Sequence, residues 1–174
     1  QLPGVTFSGG SALAAPLDSD LDILNYALTL EYLEADAYKA INDSGALTGR
    51  ASTYFKAFGD HEMQHVKALM DTITSLGGTP VAKPTFDFSS VPTPPDEIVK
   101  FFQGVEAVGA SAYHGAAPSI EAAAVLAAGL SIHANEAMHA AALADLVAPG
   151  TDLFSPVAFA TPRTPDEVLS IVAP

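Results

Sequence analysis

Glutamate and histidine recur in this sequence at a spacing that suits metal binding. The pattern Glu-x-x-His occurs twice, as Glu62 with His65 and as Glu136 with His139. Residues three apart on a helix lie on one face, so each pair presents a carboxylate and an imidazole together. The chain has no cysteine. A thiolate site is therefore excluded, and the remaining oxygen and nitrogen ligands favour iron, manganese or zinc.

The residues around both pairs predict that the pairs are buried. Over residues 101–144 the only charged side chains are three glutamates. Small and apolar residues recur around each pair in steps of three and four, which marks one face of a helix. These residues are Phe55, Phe58, Leu69 and Leu76 for the first pair, and Val125, Gly129, Ile132, Leu143 and Leu146 for the second. An unpaired carboxylate on such a face is costly, so we expect a metal ion shared with other carboxylates.

Two further apolar faces carry one glutamate each, Glu31 and Glu106. In both, a tyrosine follows seven residues later, at Tyr38 and Tyr113. The chain thus reads Glu, Glu-x-x-His, Glu, Glu-x-x-His, with an offset of 75 residues between the single glutamates and 74 between the pairs. This order indicates an internal repeat of a helix pair.

Glu34 competes with Glu31 for the place in the predicted site, because its own face of the helix is also apolar. The repeat favours Glu31, which corresponds to Glu106, whereas Glu34 corresponds to Gly109. We therefore expect Glu34 to flank the site, and its direct binding of metal stays an alternative. Asp60 and Asp145 are candidates for orienting the histidines.

The connections between the helical segments predict how the helices are arranged. Helices are expected over about 18–41, 51–76, 93–115 and 118–148, and a short one over 165–172. The connection over 77–95 contains five prolines and has little strand character. Its nineteen residues can span roughly 60 Å, whereas a 26-residue helix is about 39 Å long. A short, a long and a short connection predict an all-α four-helix bundle with one crossover between helices 2 and 3.

The length of 174 residues suits one domain. We expect an extended N-terminal arm over 1–17, the bundle over 18–148 with its crossover at about 77–95, and an irregular segment over 149–174. A short C-terminal helix in that last segment is expected to pack on the bundle.

Composition and charge exclude several classes of protein. Hydrophobic residues make up 49% of the chain and charged residues 16%, the opposite of a disordered acidic chain. The net charge of -13 argues against binding to nucleic acid or anionic membranes, which require basic patches. The sequence has no run of about twenty apolar residues, so no membrane span is predicted. Whether the chain forms a homo-oligomer is left open.

Two features predict a secreted protein. The sequence begins with Gln1 instead of methionine, which fits a signal peptide already removed. Asn42-Asp43-Ser44 is a glycosylation sequon in a predicted surface turn, so an N-glycan at Asn42 is expected.

These residues together resemble the ligand set of the ferritin-like superfamily. The match in type, spacing, order and buried face covers Glu31, Glu62, His65, Glu106, Glu136 and His139. Tyr38 and Tyr113 resemble the tyrosines found two turns past the single glutamates in ferritins and rubrerythrins. Residues 24–35, LNYALTLEYLEA, look more specifically like the desiccation-related and fungal stress-response branch of ferritin-like domains.

The resemblance implies a ferritin-like bundle with two metal ions, iron or manganese before zinc. It implies one ion at Glu31 and His65 with Glu62 bridging, and one at Glu106 and His139 with Glu136 bridging. Four carboxylates would balance two divalent cations in an apolar interior. The implied function is a redox centre that reacts with oxygen or peroxide in stress protection, by peroxide disproportionation as in manganese catalases or iron oxidation as in ferritins. Tyr38 and Tyr113 are expected to be hydrogen-bond partners of the ligands.

Three other interpretations stay open. The metal could merely stabilise a non-enzymatic stress or desiccation protein. The glutamates could form buried ion pairs, although no lysine or arginine occurs between Lys100 and Arg163. His61-Glu62-Met63-Gln64-His65 also matches the His-Glu-x-x-His signature of zinc metalloproteases, with His61 and His65 as ligands and Glu62 as base. That last interpretation leaves the other buried glutamates and His139 unexplained.

Overall fold

The computed structural model describes residues 6–8 and 17–172. Four long helices and one short helix form the fold: α1 (Asp20–Ser44), α2 (Gly49–Ser75), α3 (Pro95–Ala116), α4 (Ala123–Val147) and α5 (Pro165–Val172). Two short strands, β1 (Thr6–Ser8) and β2 (Thr85–Asp87), complete it. The predicted all-α bundle with a crossover between the second and third helices and a short C-terminal helix is confirmed.

Two apolar cores lie along the bundle, one at each end. The first contains Leu33, Tyr38, Phe55, Phe58, Ile98, Phe102 and Leu143, and the second contains Leu24, Leu28, Leu69, Ile73, Val125 and Ile132. The first core takes the late part of α1 and α4 and the early part of α2 and α3. Hence α2 and α3 run parallel, as the long crossover requires, and the middle of each of the four long helices lies between the cores.

Local hydrogen bonds explain where the helices begin. Ser19 caps α1, because its hydroxyl accepts a hydrogen bond from the backbone N–H of Asp22 at 3.2 Å. The fourth helix begins later than predicted, at Ala123. The Asp20 carboxylate accepts the backbone N–H groups of Glu121 and Ala122, at 2.8 and 2.9 Å. These two residues are thereby held against the start of α1, and the helix can begin only after them.

The crossover contains a strand that the sequence did not reveal. Strand β2 pairs antiparallel with β1, with Phe7 opposite Phe86. Asn25 of α1 also holds the crossover, because its side chain accepts the N–H of Val81 at 2.7 Å and donates to the carbonyl of Thr79 at 3.4 Å. Most of the predicted extended arm over 1–17 lies outside the described residues.

The C-terminal helix packs on the outside of the bundle. Val168 and Val172 are buried against Tyr26 and Leu30 of α1 and against α3. The segment before α5 is tied to α3, because the N–H of Arg163 donates to the carbonyl of Ser111 at 3.1 Å. The Arg163 guanidinium donates to the Ser111 hydroxyl at 2.8 Å.

Two earlier expectations are affected by these elements. Asn42 lies in the last turn of α1 and not in a surface turn, and its side-chain N–H donates to the carbonyl of Phe55 at 3.0 Å. An N-glycan at Asn42 stays a prediction, and it would be attached to the same amide nitrogen that donates to Phe55. Within residues 6–8 and 17–172, no helix is long and apolar enough to cross a membrane.

The close approach of Gly115 to Arg163 gives a test of how α5 is attached. A Cβ atom on Gly115 would lie 1.9 Å from the Arg163 carbonyl oxygen. Gly115→Ala should therefore lower the free energy of unfolding by about 1–3 kcal/mol. Gly129→Ala is the matched control, because its Cβ would make only ordinary contacts at 3.8 and 4.0 Å and should stabilise α4 by about 0.5–1 kcal/mol. Urea unfolding measures both, and equal effects would contradict this attachment.

Candidate metal centre

The middle of the bundle carries a layer of charged side chains between the two apolar cores. Helix α1 contributes Glu31, α2 contributes Glu62 and His65, α3 contributes Glu106, and α4 contributes Glu136 and His139. The four glutamates are 0% exposed, His139 is 1% exposed, and the His65 side chain is 12% exposed. All six predicted ligands thus meet at one level of the fold, and each helix supplies its share at its midpoint.

The two imidazoles point into the cluster through the same ring nitrogen. His65 Nδ1 lies 2.9 Å from Glu62 Oε2, 3.2 Å from Glu31 Oε2 and 3.3 Å from Glu136 Oε1. His139 Nδ1 lies 3.0 Å from Glu62 Oε1 and 3.2 Å from Glu106 Oε2. A single ring nitrogen carries one proton or one lone pair. It cannot satisfy two or three carboxylates, but it can share a cation with them.

The side chains form two overlapping groups that could each hold a metal ion. One group is Glu31, Glu62, His65 and Glu136, and the other is Glu62, Glu106, Glu136 and His139. Within each group the ligand atoms lie within 4.8 Å of one another. Glu62 and Glu136 belong to both groups, so they are the two carboxylates whose position suits a bridge between two ions.

Some of the buried carboxylate oxygens in this cluster accept no hydrogen bond. Glu62 Oε1 and both carboxylate oxygens of Glu136 are buried and accept no hydrogen bond. His65 Nδ1 is near Glu136 Oε1 but lacks the direction of a hydrogen bond to it. In the described part of the chain, no lysine or arginine forms an ion pair with these glutamates. Buried unpartnered carboxylates are strongly unfavourable, so the donor set fits metal ions better than the ion-pair interpretation.

The carboxylates and imidazoles strongly perturb one another. Burial raises the pKa of Glu31 to about 8 and raises that of Glu136 well above its usual range, where Glu31 and Glu106 add to the effect. Burial alone would lower the pKa of His65, but the nearby glutamates raise it to about 12. The metal-free cluster therefore retains protons that a bound cation would displace.

The two tyrosines hold the single glutamates crosswise. The Tyr38 hydroxyl donates to Glu106 Oε1, and the Tyr113 hydroxyl donates to Glu31 Oε1 at 2.6 Å. Each tyrosine thus serves the glutamate of the opposite helix, α1 to α3 and α3 to α1. These hydrogen bonds fix the orientation of both carboxylates, which is the role expected for partners of metal ligands.

His61 lies directly behind His139, a contact that sequence reasoning missed. His61 Nδ1 is 2.9 Å from His139 Nε2, and the two rings stack with centroids 5.2 Å apart. With His139 Nδ1 directed at the carboxylates, its Nε2–H is free to donate to His61. Asp145, a candidate for this orienting role, instead accepts a hydrogen bond from Arg50 at 3.0 Å. The only sequence signal was the position of His61 next to Glu62.

The position of His61 also bears on the zinc protease interpretation. A His-Glu-x-x-His site requires His61 and His65 to bind the same ion. His61 belongs to neither group of potential ligands found among the described residues, and its Nδ1 contacts His139 instead. The geometry therefore favours the cluster of Glu31, Glu62, His65, Glu106, Glu136 and His139 over that motif.

Glu34 is buried beside the cluster although it belongs to neither group. Its exposure is 3%. Burial raises the pKa of Glu34 well above its usual range, and the charges of Glu136, Glu106, Glu31 and Glu62 raise it further. The interior therefore holds five carboxylates against two imidazoles.

Comparison with known families agrees with this geometry. A family model described as the ferritin-like domain matches residues 19–149. This match covers well over half of the 174 residues and includes all four long helices and the crossover. No curated protein matches the chain.

Replacement of His61 separates the two metal interpretations. In His61→Ala the chain should still bind two ions, with an affinity lower by about tenfold, because only a partner of a ligand is lost. The measurement is metal titration of the metal-free protein. His133→Ala is the control, because that imidazole bonds the Ala110 carbonyl at 2.9 Å and not a glutamate of the cluster. Complete loss of metal binding in His61→Ala alone would support the protease motif instead.

Proposed function

The chain belongs to the ferritin-like domain family, and on this basis we propose that it holds two iron or manganese ions in a redox centre that reacts with dioxygen or hydrogen peroxide. The observation that carries the proposal is the convergence of four fully buried glutamates and two histidine Nδ1 atoms. The six side chains are Glu31, Glu62, His65, Glu106, Glu136 and His139.

The ligand types support iron or manganese. Carboxylate oxygen and imidazole nitrogen suit these ions, and the sequence offers no thiolate. Four carboxylates would balance two divalent cations, which is the condition for placing them in an apolar interior. Zinc would also accept these ligands, but it does not change oxidation state.

The residues of the chain have separable tasks in this proposal. Glu62 and Glu136 would bridge the ions, and Glu31 with His65 and Glu106 with His139 would complete the two positions. Iron or manganese would supply the one-electron steps that neither carboxylate nor imidazole can perform. The tyrosine hydroxyls hold Glu31 and Glu106, and His61 holds His139, so the ligands are oriented before metal enters.

Burial supports a small oxidant as substrate. The apolar cores on both sides exclude bulk water from the layer, which strengthens the electrostatic interactions within it. Peroxide disproportionation and iron oxidation both suit this centre. The resemblance of residues 24–35 to desiccation-related proteins supports stress protection as the physiological role.

A second function rests on a different observation. The cluster joins the midpoints of all four long helices, so bound metal could serve only to stabilise the bundle. The protein would then be a non-enzymatic stress or desiccation protein in which metal raises stability by mass action.

Turnover assays separate these functions. Manganese-loaded protein should release oxygen from hydrogen peroxide, or iron-loaded protein should consume oxygen. The double variant Glu62→Gln/Glu136→Gln removes both proposed bridging carboxylates and should lower turnover by about a hundredfold or more, because losing two direct ligands should cost at least as much as losing a hydrogen-bond partner of a ligand. The matched control is Glu97→Gln/Glu121→Gln, which removes the same charge at exposed positions.

The structural alternative predicts a different result. The wild-type chain would hold two ions and gain stability from them, yet turn over neither peroxide nor oxygen with either metal. That outcome would contradict the redox proposal.

A further inference from the structure

The two halves of the internal repeat differ at one position on the face of the cluster between α1 and α3. The crosswise tyrosine bonds show that α1 from Glu31 to Tyr38 and α3 from Glu106 to Tyr113 lie side by side, because each tyrosine hydroxyl reaches the glutamate of the other helix. The residues halfway along these two paths therefore meet between the two halves of the site. They are Glu34 on α1 and Gly109 on α3.

Gly109 makes room for Glu34 at this meeting point. A Cβ atom on Gly109 would lie 2.9 Å from Glu34 Oε1 and 2.9 Å from Glu136 Oε2. Any side chain at this position would thus displace one of the two carboxylates. The repeat places Glu34 and Gly109 at corresponding positions, and the space holds a side chain from only one of them.

The carboxylate of Glu34 approaches the same point beside Gly109 as the Glu136 carboxylate. Glu34 is 3% exposed, and none of the hydrogen bonds or ion pairs among the described residues involves it. The Glu136 carboxylate on the other side of Gly109 is fully buried and accepts no hydrogen bond at either oxygen. Two buried carboxylates that approach the same point need either a proton or a cation between them.

We propose that Glu34 is a seventh metal-binding residue, which covers the α1–α3 face of the proposed centre and competes there with small anions. The histidines approach from α2 and α4, so the α1–α3 side is the side they leave open. Glu34 is the only charged side chain that the described part of α1 and α3 adds to this face beyond Glu31 and Glu106. This inference rests on the proposed two-metal function and adds a residue that controls access to it.

Two consequences follow from this position. With Glu34 the centre would have five carboxylates for two divalent ions, so one negative charge would remain. That charge disfavours the approach of a small external anion. A peroxide or dioxygen molecule that enters from this face must also displace the Glu34 carboxylate. Gly109 therefore has a role in the site although it carries no side chain.

The test uses Co(II) as the metal probe and azide as the small anion. Metal-free wild-type protein is loaded with Co(II), and its d–d absorption and its affinity for azide are measured. Glu34→Gln keeps the shape of the side chain but removes its charge and weakens it as a ligand. The variant should keep two Co(II) ions per chain, change the Co(II) absorption and bind azide about tenfold more tightly, since one nearby unit charge is worth a factor of this order.

Two further variants make the result specific. Gly109→Ala should also raise azide affinity, because the new Cβ displaces Glu34 or Glu136 from its present position while both charges remain in the chain. Glu121→Gln removes one charge at an exposed position and should leave both the absorption and the azide affinity unchanged.

The possible failures are distinguishable. If the wild type binds two Co(II) ions and Glu34→Gln changes neither absorption nor azide affinity, Glu34 is not part of the centre, while the proposed function stands. If the wild type itself does not bind two ions, the proposed function fails, and this inference fails with it.

Discussion

Five carboxylates lie inside this bundle with no lysine or arginine paired to them in the described residues, and this uncompensated charge constrains the rest of the structure. Among residues 6–8 and 17–172, only His65 and His139 approach Glu31, Glu62, Glu106 and Glu136 as potential cations. A layer of this kind between two apolar cores would oppose folding unless protons or metal ions neutralise it. The raised pKa values of Glu31, Glu34 and Glu136 show that protons can neutralise these carboxylates in the metal-free chain. The convergence of the carboxylate and imidazole atoms shows that metal ions could also do so.

The internal repeat explains how four helices can build one such layer. Each half contributes a helix with one glutamate and a helix with Glu-x-x-His, and the long crossover allows the two halves to face each other. The tyrosines then tie the halves together, because each bonds the glutamate of the other half. The repeat is broken where the two halves meet, since only one of Glu34 and Gly109 can carry a side chain there. The cluster is therefore nearly symmetric in its glutamates and histidines but not in the residues that lie between its two halves.

The sequence predicted the features that depend on periodicity within single helices. The convergence of Glu31, Glu62, His65, Glu106, Glu136 and His139 follows from helical spacing on apolar faces and from the repeat; five of these side chains are buried and His65 is partly buried. The contact between His61 and His139 could not be predicted, because it depends on how α2 and α4 are rotated against each other. Strand β2 was missed because its partner β1 is distant in sequence, and the start of α4 was misplaced because Asp20 of α1 holds the preceding residues. The sequence could not choose firmly between Glu31 and Glu34 as a ligand, because both lie on apolar faces of α1. The structure shows what the sequence could not, that the Glu34 carboxylate lies against Gly109 of α3.

Elemental analysis of the natively purified protein, before any step that adds or removes metal, tests the central claim most directly. The account predicts about two iron or manganese ions per chain, as dinuclear carboxylate bundles hold. The identity of the element would also choose between oxygen and peroxide as the oxidant to examine. A protein without metal, even after anaerobic loading with both ions, would contradict the account. The five buried carboxylates would then have to be neutralised by protons alone.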